Sequence, residues 1–337
     1  MNSTIPSRPR WHDPEWLNEA IAWIAVETKR AGFNIVAPVE QPSVGPWSTV
    51  LLVRTEQCTL FFKATTDAHQ AALTQTLASW YGDRMPELVA VDVKRGWLLM
   101  RDAGQPLRAT IRPAKDIAPW TSVIPLYSEL QLDAAQHVDE LLTLGVPDRR
   151  LARLPGLFAQ LLEDDDCFQV DQQSGLTAEE FQRLSEVTPR FVGICADLAA
   201  LGIPESVDHG DFHDGNVLVH DGRVTFLDWG DARVTHPFVS LRTLFVSIEI
   251  SLQLDDYAFT AEMGALLRQY MKPWQRFAPQ AELLSAFALS QCVASIVSAL
   301  SWHQTISSLD ESARQEYSHT VPELMREFML YEAKIPR

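Results

Sequence analysis

Apolar residues change their spacing twice along the chain, and those changes divide it. Leu17, Ile21 and Ile24 recur at helical intervals behind Asp13-Pro14. Asp13 can cap a helix N-terminus, proline suits the first turn, and Gly32 is placed to end the run. From Phe33 to Lys63 the pattern shortens to runs rich in β-branched and aromatic residues. Phe33–Val39, Thr49–Arg54 and Thr59–Lys63 predict three antiparallel strands, with a turn-rich loop from Gln41 to Ser48. A helix over Asp67–Trp80 and strands at Glu87–Asp92 and Gly96–Met100 complete a five-stranded sheet with one helix.

Beyond the polar stretch Arg101–Pro106 helical periodicity takes over. Glu129–Leu144 reads as a helix that stops at Gly145, and Thr177 with Glu180 has capping-box spacing, stapled by Leu176 and Phe181. Pro189 predicts a break into two helices, the second reaching Leu201. Glu163–Asp166 reads as a solvated loop. The one strand-and-turn signal in this half is Val217–Val219, His220-Asp221-Gly222 and Arg223–Leu227, a hairpin with an Asp-Gly turn. Only helices are expected after it, among them Phe259–Met271, Leu283–Leu300 and Val321–Glu332. Ala281–Leu300 is long enough to span a bilayer but carries Glu282, Gln291 and several serines, so it reads as a buried core helix. The division expected is 1–32 an N-terminal arm and helix, 33–100 a sheet-bearing lobe, 101–106 a hinge and 107–337 a helical lobe.

Charge narrows the partners. The 337 residues hold 28 Lys and Arg against 44 Asp and Glu, a formal −16, which repels nucleic acid and is compatible with a cationic small molecule. Cys58, Cys167, Cys195 and Cys292 have neither zinc nor disulfide spacing, Arg8 and Arg10 precede no signal-like apolar run, and no membrane segment is read. A cytoplasmic protein is expected; the sequence sets no oligomeric state.

Chemistry concentrates around the hairpin, with His209-Gly210-Asp211-Phe212-His213-Asp214-Gly215-Asn216 before it and Asp228-Trp229-Gly230-Asp231 after it. A hairpin brings its flanks together, so Asp211, Asn216 and Asp228 should converge at one end. Phosphoryl transfer needs a carboxylate for the hydroxyl proton, oxygen ligands for Mg²⁺ and a cation on the phosphates. Asn216 and Asp228 suit the metal, leaving Asp211 for the hydroxyl. His209 and His213 with Asp211 and Asp214 could instead hold zinc, the chemistry of a metal-dependent hydrolase. Neither a Walker-type glycine loop nor a dinucleotide fingerprint occurs.

His-Gly-Asp, an Asn five residues after that Asp, a short hairpin and then Leu-Asp-Trp together resemble the aminoglycoside phosphotransferase and choline-kinase superfamily. The resemblance implies an α+β, bilobal protein-kinase-like fold and a small-molecule kinase that uses ATP, with GTP as the alternative donor, and Mg²⁺. It implies Asp211 as base, His213 beside the transferred phosphate, and Asn216 and Asp228 as metal ligands. It further implies Lys63, with Gly45 and Ser48, at the nucleotide phosphates, and Met100, Arg101, Asp102 and Ala103 at the adenine. The acceptor is a small-molecule hydroxyl. Departures are plain: Gly45 stands alone where protein kinases have several glycines, and the helix after Lys63 has no glutamate, leaving Asp67, Gln70 and Gln75 as its candidate partners. Asp214 stands where relatives commonly have proline, and Ser240 where many have a bracing aspartate. These departures keep open a pseudokinase that binds nucleotide without turnover.

Overall fold

The computed structural model describes residues 10–66, 68–309 and 311–335. In chain order the elements begin with α1 (Pro14–Arg30), β1 (Glu40–Val44), β2 (Ser48–Arg54), β3 (Thr59–Thr65) and α2 (Ala68–Trp80). β4 (Leu88–Asp92), β5 (Trp97–Arg101), β6 (Gln105–Pro106) and α3 (Arg108–Ala114) follow. Next come α4 (Trp120–Ala134), α5 (Val138–Thr143), α6 (Leu154–Leu162), α7 (Ala178–Ala200), β7 (Ser206–Asp208), β8 (Val217–His220) and β9 (Arg223–Phe226). The last are β10 (Arg233–Thr235), α8 (Ser240–Leu252), α9 (Ala261–Met271), α10 (Gln280–Ser307), α11 (Glu311–Tyr317) and α12 (Thr320–Lys334). Two compact units result: the chain up to Lys115 with His213–Gly230, and Asp116–Phe212 with the chain from Asp231.

In the first unit the five-stranded antiparallel sheet has the order β1-β2-β3-β5-β4. Alternation along a strand sorts its side chains to two faces. Leu51 and Val53 of β2, Leu60, Phe62 and Ala64 of β3, and Trp97 and Leu99 of β5 pack with Ala20 and Ile24 of α1. Asp13 caps that helix as expected, its Oδ1 accepting the Glu15 N–H at 2.9 Å. On the opposite face Leu98 and Met100 meet Ala71 of α2. Lys63 is out of phase with Phe62 and Ala64, so it belongs to the α2 face.

The first strand is a correction: it lies at Glu40–Val44 rather than Phe33–Val39, of which only Ile35 forms a bridge, to Thr55. Pro42 hid it. Proline lacks the N–H a central strand needs, but β1 is an edge strand and its register is irregular between Glu40 and Ser43, so nothing is lost there.

The second unit is mainly helical. The capping box forms, yet α7 runs unbroken through Pro189. A proline inside a helix costs about 3 kcal/mol, whereas burying each large apolar side chain stabilises by about 1.5–3 kcal/mol; Leu184, Phe191, Ile194 and Leu198 form such a stripe. The helix read at Glu129–Leu144 starts earlier, at Trp120, because Trp120, Val123, Ile124 and Tyr127 are buried on one face despite Pro125, and it breaks at Ala135–His137. Three short strands went unread, β6, β7 and β10, of which β7 and β10 pair antiparallel from either side of the hairpin segment in the chain. α10 is long and apolar enough to cross a membrane, but 72% of that window is buried inside the protein, as expected for a core helix.

Candidate active site

The hairpin forms in the expected register, with Val217 opposite Phe226 and His220 opposite Arg223. Asp221 and Gly222 both take positive φ, 48° and 79°, as a tight hairpin turn requires. β6 adds a third strand, Pro106 opposite Leu218, so the stretch 101–106 is pinned to the hairpin. At the open end the Leu227 N–H donates to the Asn216 carbonyl at 2.8 Å, which sets Asn216 beside Asp228. Asp228 has φ of +63°. Left-handed backbone is costly for a residue with a Cβ and gathers at functional sites.

Two side chains from the sheet and its helix end on Asp228. Lys63 Nζ lies 2.6 Å from Asp228 Oδ1, and Gln70 Nε2 donates to the same oxygen at 2.8 Å. Lys63 is 11% exposed and Asp228 43%, so the pair is sealed on the sheet side and open at the carboxylate. Lys63 therefore finds its carboxylate on the hairpin rather than on α2. Of the partners considered, Gln70 reaches the hairpin instead, Gln75 lines a groove between α2 and β4 that contains no site residue, and Asp67 lies outside the described residues.

A second set of contacts lies on the other flank of the hairpin, before β8. Asp214, 1% exposed, pairs with Arg108 Nε at 3.2 Å and Arg112 Nε at 3.4 Å, both from α3. His213 Nδ1 accepts the Gly215 N–H at 2.9 Å and lies 3.1 Å from Arg108 Nη2. Both neighbours are donors, so the ring proton is on Nε2. Arginines thus engage His213 and Asp214, two of the four candidate zinc ligands, and among the described residues no three His, Cys, Asp or Glu side chains gather as a metal group. Sequence reading missed both arginines. Their signal is the i, i+4 spacing, which puts them on one helix face.

Asp211 belongs to the second unit, one residue before the chain crosses into the first between Phe212 and His213. Its N–H donates to His209 Nδ1 at 3.3 Å, and the His209 N–H donates to Tyr127 Oη at 3.1 Å. Phe212 stacks on Tyr127 with centroids 3.8 Å apart. Gly210 has φ of +81°, and a Cβ there would stand 1.9 Å from the Asp231 carbonyl oxygen, so only glycine lets the two segments approach. The missing brace at Ser240 is also explained. Asp208 supplies the carboxylate: Arg233 Nε donates to it at 2.7 Å and the Ser240 hydroxyl donates to its other oxygen. Burial, and then the charge of Asp208, push the Tyr127 hydroxyl far above its ordinary pKa, so it stays protonated.

The remaining expected residues sit in the sheet. Gly45 and Ser48 close the β1–β2 hairpin, with the Gly45 N–H spent on the Ser48 carbonyl at 2.8 Å. Met100 is buried in β5, and the N–H groups of Arg101 and Asp102 bond to Glu87 and Thr59 carbonyls, so Ala103 is the first of the four past the sheet pairing.

The fold is α+β and protein-kinase-like, an antiparallel sheet followed by helices, as the sequence implied. Residues 99–258 match the model of the phosphotransferase enzyme family, APH. Over that stretch, which holds the whole 209–231 cluster and begins after Lys63, the suspected superfamily is the one found. An ethanolamine kinase from Plasmodium vivax aligns over 95% of this chain and 89% of its own with a TM-score of 0.62 at 13% identity. Choline kinase LicA from Streptococcus pneumoniae aligns over 94% and 100%, with a TM-score of 0.58 at 13% identity. An amicoumacin kinase solved with AMP-PNP, Ca²⁺ and Ami aligns over 96% and 97%, with a TM-score of 0.52 at 13% identity. At such identities the likeness is one of fold. No curated protein matches the chain.

Proposed function

We propose that this phosphotransferase-family protein is a small-molecule kinase that moves the γ-phosphoryl group of a nucleoside triphosphate onto a substrate hydroxyl. The observation that carries the reading is the convergence on Asp228 of Lys63 from β3 and Gln70 from α2, at the end of the hairpin that also bears Asn216. Phosphoryl transfer draws on that inventory, a cation and hard oxygen donors held by rigid elements. A carboxylate and an amide oxygen suit Mg²⁺, whose charge would offset that of the phosphates. Asn216 and Asp228 are its proposed holders.

Asp211 orients the acceptor hydroxyl and takes its proton; His213 presents its Nε2–H to the transferred group. Lys63 steadies the nucleotide phosphates with Ser48, and the base is held along Met100–Ala103, with Ala103 offering backbone beyond the sheet. Gly45 has its N–H engaged and serves as the turn. The amicoumacin kinase structure contains AMP-PNP and Ca²⁺, which supports a nucleotide and a divalent cation here. ATP is the proposed donor, GTP the alternative, in a reducing cytoplasm. Relatives named for ethanolamine and choline, together with a net charge of −16, favour a cationic alcohol as acceptor.

General-base catalysis contributes about 10²–10⁴-fold, so Asp211→Asn should lower kcat by that order while nucleotide affinity, measured by calorimetry, stays unchanged. Full turnover in that variant would remove Asp211 from its role. Tight nucleotide binding by the wild type, with no turnover on any hydroxyl compound, would favour the pseudokinase.

A further inference from the structure

Arg108 opens α3 and grips the segment before Asn216 with both backbone and side chain. Its N–H donates to the Asp214 carbonyl at 3.0 Å, its Nε lies 3.2 Å from Asp214 Oδ1, and its Nη2 lies 3.1 Å from His213 Nδ1. A guanidinium has five N–H donors. Nη2 faces the imidazole, and Nε stands at ion-pair distance from Asp214 without a hydrogen bond to it. A Cβ on Gly215 would stand 1.7 Å from Nη2, so the guanidinium occupies the space that a side chain at 215 would fill.

Burial divides the pair unevenly. Asp214 is 1% exposed and Arg108 37%, so the carboxylate is sealed while the outer edge of the guanidinium is not. Arg112 takes the second oxygen of Asp214. Two guanidiniums thus face this one carboxylate. A buried carboxylate that fixes the direction of a half-open arginine leaves its remaining N–H groups for an anion, and the planar fork matches phosphate oxygens.

We propose that Arg108, aimed by Asp214 and seated on Gly215, binds the terminal phosphate of the nucleotide. The inference rests on the kinase reading above. It assigns phosphate binding to a helix outside the sheet and makes Gly215 the seat of that arginine.

Calorimetric titration of AMP-PNP and of ADP, both with Mg²⁺, into wild type, Arg108→Gln, Arg108→Lys and Gly215→Ala tests it. The wild type should bind AMP-PNP more tightly than ADP. Arg108→Gln should weaken AMP-PNP binding about 10- to 100-fold, the size of a charge-assisted contact, with ADP affinity nearly unchanged. Gly215→Ala should do the same with the arginine still present, because the new methyl group displaces the guanidinium, and should add nothing in the Arg108→Gln background. Arg108→Lys should recover part of the loss. Retention of the AMP-PNP preference in Arg108→Gln, or additive losses in the double variant, would overturn the inference while leaving the kinase reading intact. A wild type that binds neither nucleotide would overturn both.

Discussion

Two buried aspartates stand on either side of Asp211 in the chain, and each is answered by arginine. Asp208 and Asp214 are both 1% exposed. The arginines differ: Arg233, which meets Asp208, is 4% exposed, whereas Arg108 and Arg112, which meet Asp214, are 37% and 45% exposed. Around Asp208 everything is closed. Arg233 donates also to the half-buried Ser301, and the buried Ser240, Tyr127 and Gln131 complete the network. Such a network fixes the backbone ahead of His209 and Asp211. The pair at Asp214 has the same chemistry with one side open, and the arginines are on the open side. The burial of the arginine, more than that of the aspartate, separates a brace from a binding group.

Removing each carboxylate tests that distinction. Asp208→Ala leaves Arg233 sealed without its counter-charge and should cost about 3–5 kcal/mol of unfolding free energy. Asp214→Ala lets Arg108 and Arg112 turn to water and should cost only about 1–2 kcal/mol. Denaturant unfolding of both variants measures the difference; equal losses would erase the comparison. His236 sharpens it from the other side, as a group sealed with no counter-charge. Burial pushes its pKa down to about 3, so between that pH and the ordinary value near 6.5 only the unfolded chain takes the proton. Its contribution is present above about pH 6.5 and is lost as the pH falls, approaching about 1.4 kcal/mol per pH unit. Wild-type stability should therefore fall more steeply below pH 6 than that of His236→Leu, and parallel curves would show that the imidazole is not sealed.

What the sequence made legible follows the range of the interaction. Asp13 as a cap, Thr177 with Glu180 as a capping box, and Asp221-Gly222 as a turn are decided within four residues, and all three formed. The five strands follow from alternation, with one strand displaced because Pro42 masked an edge position, and the protein-kinase-like class follows from the resemblance carried by the 209–229 motif. Pro189 misled in the opposite direction, since the buried stripe of α7 that outweighs it is a property of packing. The motif residues Asn216 and Asp228 could be named from spacing. Their partners could not: Gln70 meets Asp228 across 158 residues, and Arg108 meets His213 across 105. No local rule reaches that far, and an i, i+4 arginine pair on a short helix has no meaning until the carboxylate it faces is known.

The central claim is that Asp228 is the anchor of a phosphoryl-transfer site. Its most direct test is transfer of label from γ-labelled ATP to a panel of cationic and sugar-like alcohols with Mg²⁺ present, comparing wild type with Asp228→Ala. Label should appear on at least one alcohol with the wild type and on none with the variant; equal labelling by the two proteins would contradict the account.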